Sequence, residues 1–589
     1  MDDAFRTEMT QGYALTQPGV PLGSPMLAGE LLPEVRVQVA TAMLNRHGLI
    51  AGATGTGKTK TLQLLAGELS LAGIPVFVAD IKGDLTGLAA PGDATNTAVQ
   101  DRAKSMAWTF TPAAHPVEFL SLSGLLGAQV RASVHSFGPL LLGKVLDLNP
   151  TQTSILSLVF KYCDDKNLPL LDLPDLATTL RFLSSDDGKP ILDEYGGMSK
   201  ASVGVLLRAL SVLEQEGADV FFGEPSFDVA DLMRITPDGK GVISILELSD
   251  VMAKPRLFST FMLWLLAQLY QALPEAGDLP QPKLAFFFDE AHLLFDDASK
   301  ALMDQVELTV RLIRSKGVGV YFVTQSPTDV PSPVLAQLGN RVQHALRAFT
   351  PEDADALRKT ARTFPISSHY DVEQTITSLG TGEALVTVLS PRGVPTPLAA
   401  TRLLPPDSLM AALPADQFAA RVASGMLGAK YGTRIDRESA HEIIGRQLDS
   451  ARAAAAASAG VDPTVAATMT AAELKAAQKA RATEAARAER AALRDQLAAE
   501  RQAAKAAERA QREAVKETQR QQAAQQKAMA QAQREMLREQ QRMAREEQAA
   551  RERAQRAMTR SASGRSRSSA SKDPTNQIIR SVFGTLFGK

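Results

Sequence analysis

Residues 48–69 read GLIAGATGTGKTKTLQLLAGEL, and the spacing inside them decides what must lie on either side. An apolar run, GLIA, meets a loop of glycine and threonine, then a segment of good helix formers. In the loop, Gly52 is followed after four residues by Gly57, Lys58 and Thr59. In this pattern glycines turn successive backbone N–H groups toward phosphate oxygens, and the helix N-terminus adds positive potential. The expected nucleotide-contacting run is Gly52, Ala53, Thr54, Gly55, Thr56, Gly57, Lys58, Thr59 and Lys60, with Lys58 on the outer phosphates and Thr59 on Mg2+. The motif needs a strand before it and a helix after it, and both are legible.

Downstream, IPVFVADIKGD (74–84) is an apolar run ending in Asp80, which reads as a buried parallel strand and completes a βαβ unit. Strand-like runs return at GVISILELS (241–249), KLAFFFDEAHLLF (283–295), GVGVYFVTQSP (317–327) and EALVTVLSP (383–391). Between them TQTSILSLVFKYCDD and MSKASVGVLLRALSVLEQEG carry apolar residues at helical spacing. The fold expected is α/β: a doubly wound P-loop NTPase sheet with a helical insertion and a long C-terminal helical tail. The organisation expected is an N-terminal segment (1–47), with one short helix around LLPEVRVQVATAMLNR, and a first half of the ATPase core (48–137). A mainly helical insertion (138–240) and the second core half (241–432) follow, then a linker (433–463). An Ala/Arg/Glu/Gln-rich long helix or coiled coil (464–558), a flexible linker (559–575) and an apolar tag (576–589) complete the chain.

The net charge of −1 hides a division. Residues 471–589 hold 26 Lys+Arg against 14 Asp+Glu, leaving 38 against 51 in the other 470. An acidic body with a basic tail points to an anionic partner or to self-association. A single cysteine, Cys163, excludes an intramolecular disulfide and fits a reducing compartment. The opening MDDAFRTEMTQGYALTQPG has no basic-then-apolar signal pattern. The most apolar internal run, FMLWLLAQLY (261–270), is half the roughly 20 residues a membrane span needs. The expectation is a cytoplasmic protein.

Three further positions carry chemistry. Asp289 and Glu290 follow LAFFF, where a strand beside the phosphate loop places a Mg2+ partner and a base for the attacking water. Gln325 ends the next apolar strand and is placed to orient water or sense the terminal phosphate. A guanidinium meets developing phosphoryl charge bidentately, and the candidates are Arg46, Arg311, Arg314 and Arg341, acting within the chain or on a neighbouring subunit. The chain has no Asn-Lys-x-Asp guanine-reading motif, so ATP is favoured over GTP.

Five stretches occur in order: NRHGLIAGATGTGKTKTLQ (45–63), ADIKGDLTG (79–87), FFFDEAHLLF (286–295), RLIRSKGVGVYFVTQSPTDVP (311–331) and a terminal FGTLFGK. With PSPVLAQLGNRV (331–342), they make the chain resemble the HerA/FtsK superfamily of hexameric DNA-pumping ATPases. Within it, the chain is most similar to the HerA-like bacterial P-loop ATPases of the DUF853, YjgR type. The resemblance spans about residues 20–405 and the last dozen. It implies ATP and Mg2+ as cofactors, Lys58 and Thr59 at phosphate and metal, Asp289 at metal, Glu290 as base and Gln325 as sensor. It also implies Arg314 in the arginine-finger segment, Arg46 near a position used in trans, and a hexameric ring. HerA itself has an N-terminal β-barrel, for which about 45 residues before the loop are too few, so its partner nuclease is not implied.

Two uses of ATP compete. One is a ring translocase or helicase-like motor on double-stranded DNA; the acidic body speaks against it, since DNA affinity rests on neutralising phosphates. The other is an ATP-gated scaffold whose basic helical tail recruits protein or RNA. A membrane-surface role for QIIRSVFGTLFGK is weaker, because one short segment binds lipid marginally.

Overall fold

The apolar runs are strands of one 13-stranded sheet. In this computed structural model, which describes residues 3–295, 300–466, 468–522 and 532–559, the strands are β1 (Gly19–Leu27), β2 (Glu30–Leu31), β3 (Val37–Ala40), β4 (Gly48–Ala51), β5 (Val76–Asp80), β6 (Val117–Ser121) and β7 (Ala128–Gln129). After the helical insertion come β8 (Ile243–Glu247), β9 (Leu284–Phe288), β10 (Val318–Thr324), β11 (Asn340–His344), β12 (Glu383–Thr387) and β13 (Ala399–Leu403). The described residues fall into two units divided between Ala451 and Arg452.

The parallel part runs in the order β11-β4-β10-β9-β5-β8-β6-β7. Its central strands are buried on both faces, which is why they read as unbroken apolar runs. Successive side chains alternate between two cores. Phe77, Phe286, Phe288 and Phe322 face one, with Phe77 on Phe286 at 4.5 Å and Phe288 on Phe322 at 5.3 Å between centroids. Phe287 and Tyr321 stack at 4.9 Å on the other. The first core is covered by the insertion between β7 and β8, built on helices Val134–Val145, Pro150–Asp165, Leu173–Ser184 and Lys200–Gln215, and by helix Pro255–Ala272. Asn149 and Asp172 start two insertion helices with reciprocal capping boxes. The second core takes helix Lys58–Leu71 and helix Asp3–Tyr13, whose Phe5, Met9 and Tyr13 recur every four residues.

The N-terminal segment departs from the expected short helix around residues 31–46. β1 pairs antiparallel with β13, β2 and β3, extending the sheet beyond β12. The alternation in VRVQVA (35–40) is the period of a strand, and tertiary pairing decides it. Only Thr41–Arg46 coils, as a short 3-10 turn.

Two buried histidines tie the centre together. Val320 N–H donates to His47 Nδ1 (3.0 Å), and His344 Nε2 meets Thr61 Oγ1 at 2.8 Å. Burial pushes both pKa values down from 6.5 to about 4. The folded state keeps these rings neutral where an unfolded chain binds protons, so their contribution is present above pH 6.5 and lost as pH falls through about 4. The melting temperature is expected to drop between pH 7 and pH 4.5, and to drop less in His344→Gln. Equal drops in both proteins would remove His344 from this account.

In the second unit, helices Ala471–Gln522 and Ala532–Thr559 run 52 and 28 residues. Leu493, Leu497, Leu537 and Met543 are exposed on them, while Leu474 near the start of the first is buried against Ala456 and Ala466. The expected flexible linker, apart from Thr559, and the apolar tag lie outside the described residues. Among the described residues no helix is long and apolar enough to cross a membrane.

Candidate nucleotide site

β4 ends at Ala51, and the chain turns over the sheet edge into helix Lys58–Leu71. Gly52 N–H donates to Thr324 O of β10 (3.2 Å), and Ala53 N–H donates to Ala345 O beyond β11 (2.8 Å). The loop is therefore anchored to the strands on both sides of its own. Gly52 has no room for a side chain, since a Cβ would stand 2.4 Å from that of His344. Gly57 sits at φ +112°, where L-residues are strained, and a Cβ there would meet Gly382 N at 3.2 Å. Lys58 Nζ donates to Gly52 O (2.6 Å) and Ala53 O (3.1 Å), which places the ammonium in the mouth of the loop. Burial lowers its pKa, opposed by Glu290. Thr59 is half-buried on the first helical turn, and Thr54 and Gly55 are exposed at the tip. Thr56 Oγ1 donates to Ala53 O (2.7 Å), and Lys60 Nζ to Gln63 Oε1 (3.2 Å).

β10 lies between β4 and β9. The ends of these three strands therefore bring the loop, Gln325 and the Asp289–Glu290 pair into one row, about 5 Å apart strand to strand. Gln325 is exposed directly after Thr324, the residue that holds Gly52. Asp289 Oδ1 accepts from the Glu290 N–H (3.0 Å), while Oδ2 is buried with no hydrogen-bond partner among the described residues. Burial, reinforced by Asp80 and Glu290, pushes the Asp289 pKa up to about 7. Such a desolvated, bare carboxylate oxygen fits a cation better than it fits water-free isolation. Glu290 takes a left-handed φ of +45° and forms an ion pair with Lys82. Burial works to raise its pKa, but the Lys82 ammonium overrides it and holds Glu290 below the usual glutamate value. His292 Nδ1 stands 3.4 Å from Glu290 Oε2.

Sequence reasoning missed part of this edge. Asp80 was legible only as the end of a strand; its carboxylate accepts from the N–H groups of Lys82, Gly83 and Leu85. Burial, with Asp84 adding to it, raises its pKa to about 6. Glu247, beside it in register, is pushed to about 9 by burial and by Asp80. The available signal was that ADIKGD repeats the apolar-strand-then-acid pattern of FFFDE.

The arginines lie elsewhere. Arg46 precedes β4, where it pairs with Asp278 (3.4 Å), and exposed Arg314 precedes β10. Both stand at the sheet edge opposite the loop; at about 3.3 Å per residue, β10 alone puts roughly 20 Å between Arg314 and Gln325. Arg311 pairs with Glu307, and Arg341 donates to Leu338 O and Thr363 O (both 3.1 Å).

Beside the loop lies a cavity of about 310 Å³ between Gly57 and Thr61 on one side and Leu404, Pro406 and Met410 on the other. Asn96 and Arg102 supply its polar corners. Arg102 is fixed by donating to Leu403 O (2.9 Å).

A glycine loop turned into a helix N-terminus, with an acidic pair one strand removed, defines a P-loop nucleotide-binding α/β protein. Over residues 26–505 the sequence matches the helicase HerA-like C-terminal family, and the chain belongs to that family of P-loop ATPases. No curated protein matches the sequence. Among solved structures, the unbound bacterial conjugative coupling protein TrwB is similar at 16% identity and a TM-score of 0.45, over 69% of this chain and 93% of that one. TrwB with ADP and Mg2+ gives 15% and 0.44, over 67% and 91%. VirB4 of Thermoanaerobacter pseudethanolicus gives 14% and 0.41, over 67% and 97%.

Proposed function

We propose that the chain hydrolyses ATP with Mg2+ and, assembled as a ring, uses the energy to move double-stranded DNA. The observation that supports this most is the row at one sheet edge: phosphate loop, Gln325, then Asp289 and Glu290. The cavity bounded by Thr61, Pro406 and Met410 takes the base. The loop N–H groups and Lys58 bind the phosphates, while Thr59 and Asp289 hold Mg2+, which when bound neutralises phosphate charge. Glu290 accepts the proton of the attacking water and Gln325 orients that water.

Arg46 and Arg314 stand at the sheet edge opposite the loop of their own chain, so either would act as a finger on the site of a neighbouring subunit. Arg314→Ala is expected to slow turnover about a hundredfold or more. Mixing it with Glu290→Gln protein should restore part of the activity, because a mixed interface carries one intact set. Mixtures no more active than either parent would argue against a shared site.

The deciding experiment is ATP turnover with and without double-stranded DNA across a salt series. Stimulation that weakens with salt supports the motor, since phosphate contacts release counterions. Turnover indifferent to nucleic acid sinks it. The exposed stretch 478–514 of helix Ala471–Gln522 and the basic balance of residues 471–589 favour a second use, recruitment of a protein or RNA partner. A DNA response lost on deleting 464–589 would locate binding in the tail and not in a pore.

A further inference from the structure

The ends of β5, β8 and β9 gather more carboxylates than one nucleotide-borne Mg2+ requires. Asp80 closes β5, Glu247 stands opposite it on β8, and Asp289 follows β9, while Asp84 comes from the loop after β5. One oxygen from each of Asp80, Asp84 and Asp289 lies within 4.8 Å of the others. Glu247 points into the same loop: its Oε2 lies 3.5 Å from where a side chain on Gly83 would begin.

The second observation is independent of the clustering. Asp84 Oδ1, Glu247 Oε1 and Asp289 Oδ2 are each buried with no hydrogen-bond partner among the described residues. Glu247 and Asp289 are only 2% and 3% exposed. A bare buried carboxylate oxygen is costly, and the three carboxylates of Asp80, Asp84 and Asp289 gathered within 4.8 Å repel one another as well. Two ammoniums stand near, Lys60 beside Asp84 and Asp80 and Lys82 beside Asp289 and Asp84. The contacts they make go to Gln63 and Glu290 and leave the three bare oxygens unpartnered. Asp80 is aimed by three backbone N–H groups, which leave its oxygens further lone pairs to offer.

We propose that Asp80, Asp84, Glu247 and Asp289 form a site for a hard divalent cation that fills without nucleotide and is additional to the Mg2+ carried by ATP. An all-carboxylate set selects Mg2+, Mn2+ or Ca2+ over softer metals. The ion ties the loop after β5, which carries Lys82 to Glu290, to the ends of β8 and β9. Asp289 is shared with the ATPase reading, but filling the site requires no ATP.

The test is titration of the nucleotide-free full-length chain with Mn2+, followed by loss of the free-ion electron paramagnetic resonance signal. One ion per chain is expected without nucleotide and a second when ATP is added. Asp84→Asn and Glu247→Gln should each weaken the first ion about tenfold or more, whereas Thr59→Ala should lose only the second. Melting curves of both variants establish that they are folded, and the wild-type titration stands on its own if one is not. A wild-type chain that takes up Mn2+ only with ATP, or uptake unchanged by both substitutions, overturns the proposal. Failure of the ATPase reading looks different: Mn2+ uptake persists while ATP turnover is nil.

Discussion

Glu290→Gln is expected to lower ATP turnover by about 10²–10⁴-fold, the range for loss of a general base, while ATP binding persists. The substitution keeps the shape of a side chain held at a left-handed φ and removes only its capacity to take a proton. Asp289, the loop and the cavity beside Thr61 are untouched, so KM should change little, and mixing ATP with the variant should leave unhydrolysed nucleotide on the protein. Lys82 loses its ion-pair partner, but it is half-exposed and water replaces that partner at small cost. Single-turnover and steady-state measurements on the same preparation separate binding from chemistry. Turnover near the wild-type rate would show that another group, Gln325 or a carboxylate of the β5 loop, handles the water.

The second large effect is at Lys58. Lys58→Ala is expected to cut turnover about 10²–10³-fold, the scale for one preorganised charge or donor aimed at the transition state. It should weaken ATP binding as well, which separates it from Glu290→Gln. In the structure the ammonium donates to two carbonyls of its own loop, and these contacts keep it poised where the outer phosphates arrive. Lys58→Arg should not rescue, because the planar fork cannot occupy the point position of an ammonium in a nearly closed loop. Hydrolysis at more than a tenth of the wild-type rate in Lys58→Ala would remove the loop from the mechanism.

Much of this was legible in order along the chain. The loop declares itself because its chemistry is local: consecutive residues supply glycine torsions, an ammonium and a hydroxyl within one turn. Runs such as FVAD and LAFFF declare strands because burial on both faces leaves no polar position to confuse the period. The tail declares a long helix through its composition, and Ala471–Gln522 is one.

The rest depended on which strands became neighbours. No pattern in 19–40 says that these residues pair with 401–403, since that register is set by a partner far away in sequence. The row of Gln325, Asp289 and Glu290 beside the loop exists because β10 and β9, more than 200 residues downstream, insert between β4 and β5. The same insertion turns Asp80 and Glu247 from strand ends into members of one desolvated carboxylate cluster. Sequence by itself determined which chemistry the chain carries, because each motif is complete within a few residues. The tertiary structure alone decided which charges meet, because desolvation and Coulomb interaction depend on distance in space and not along the chain.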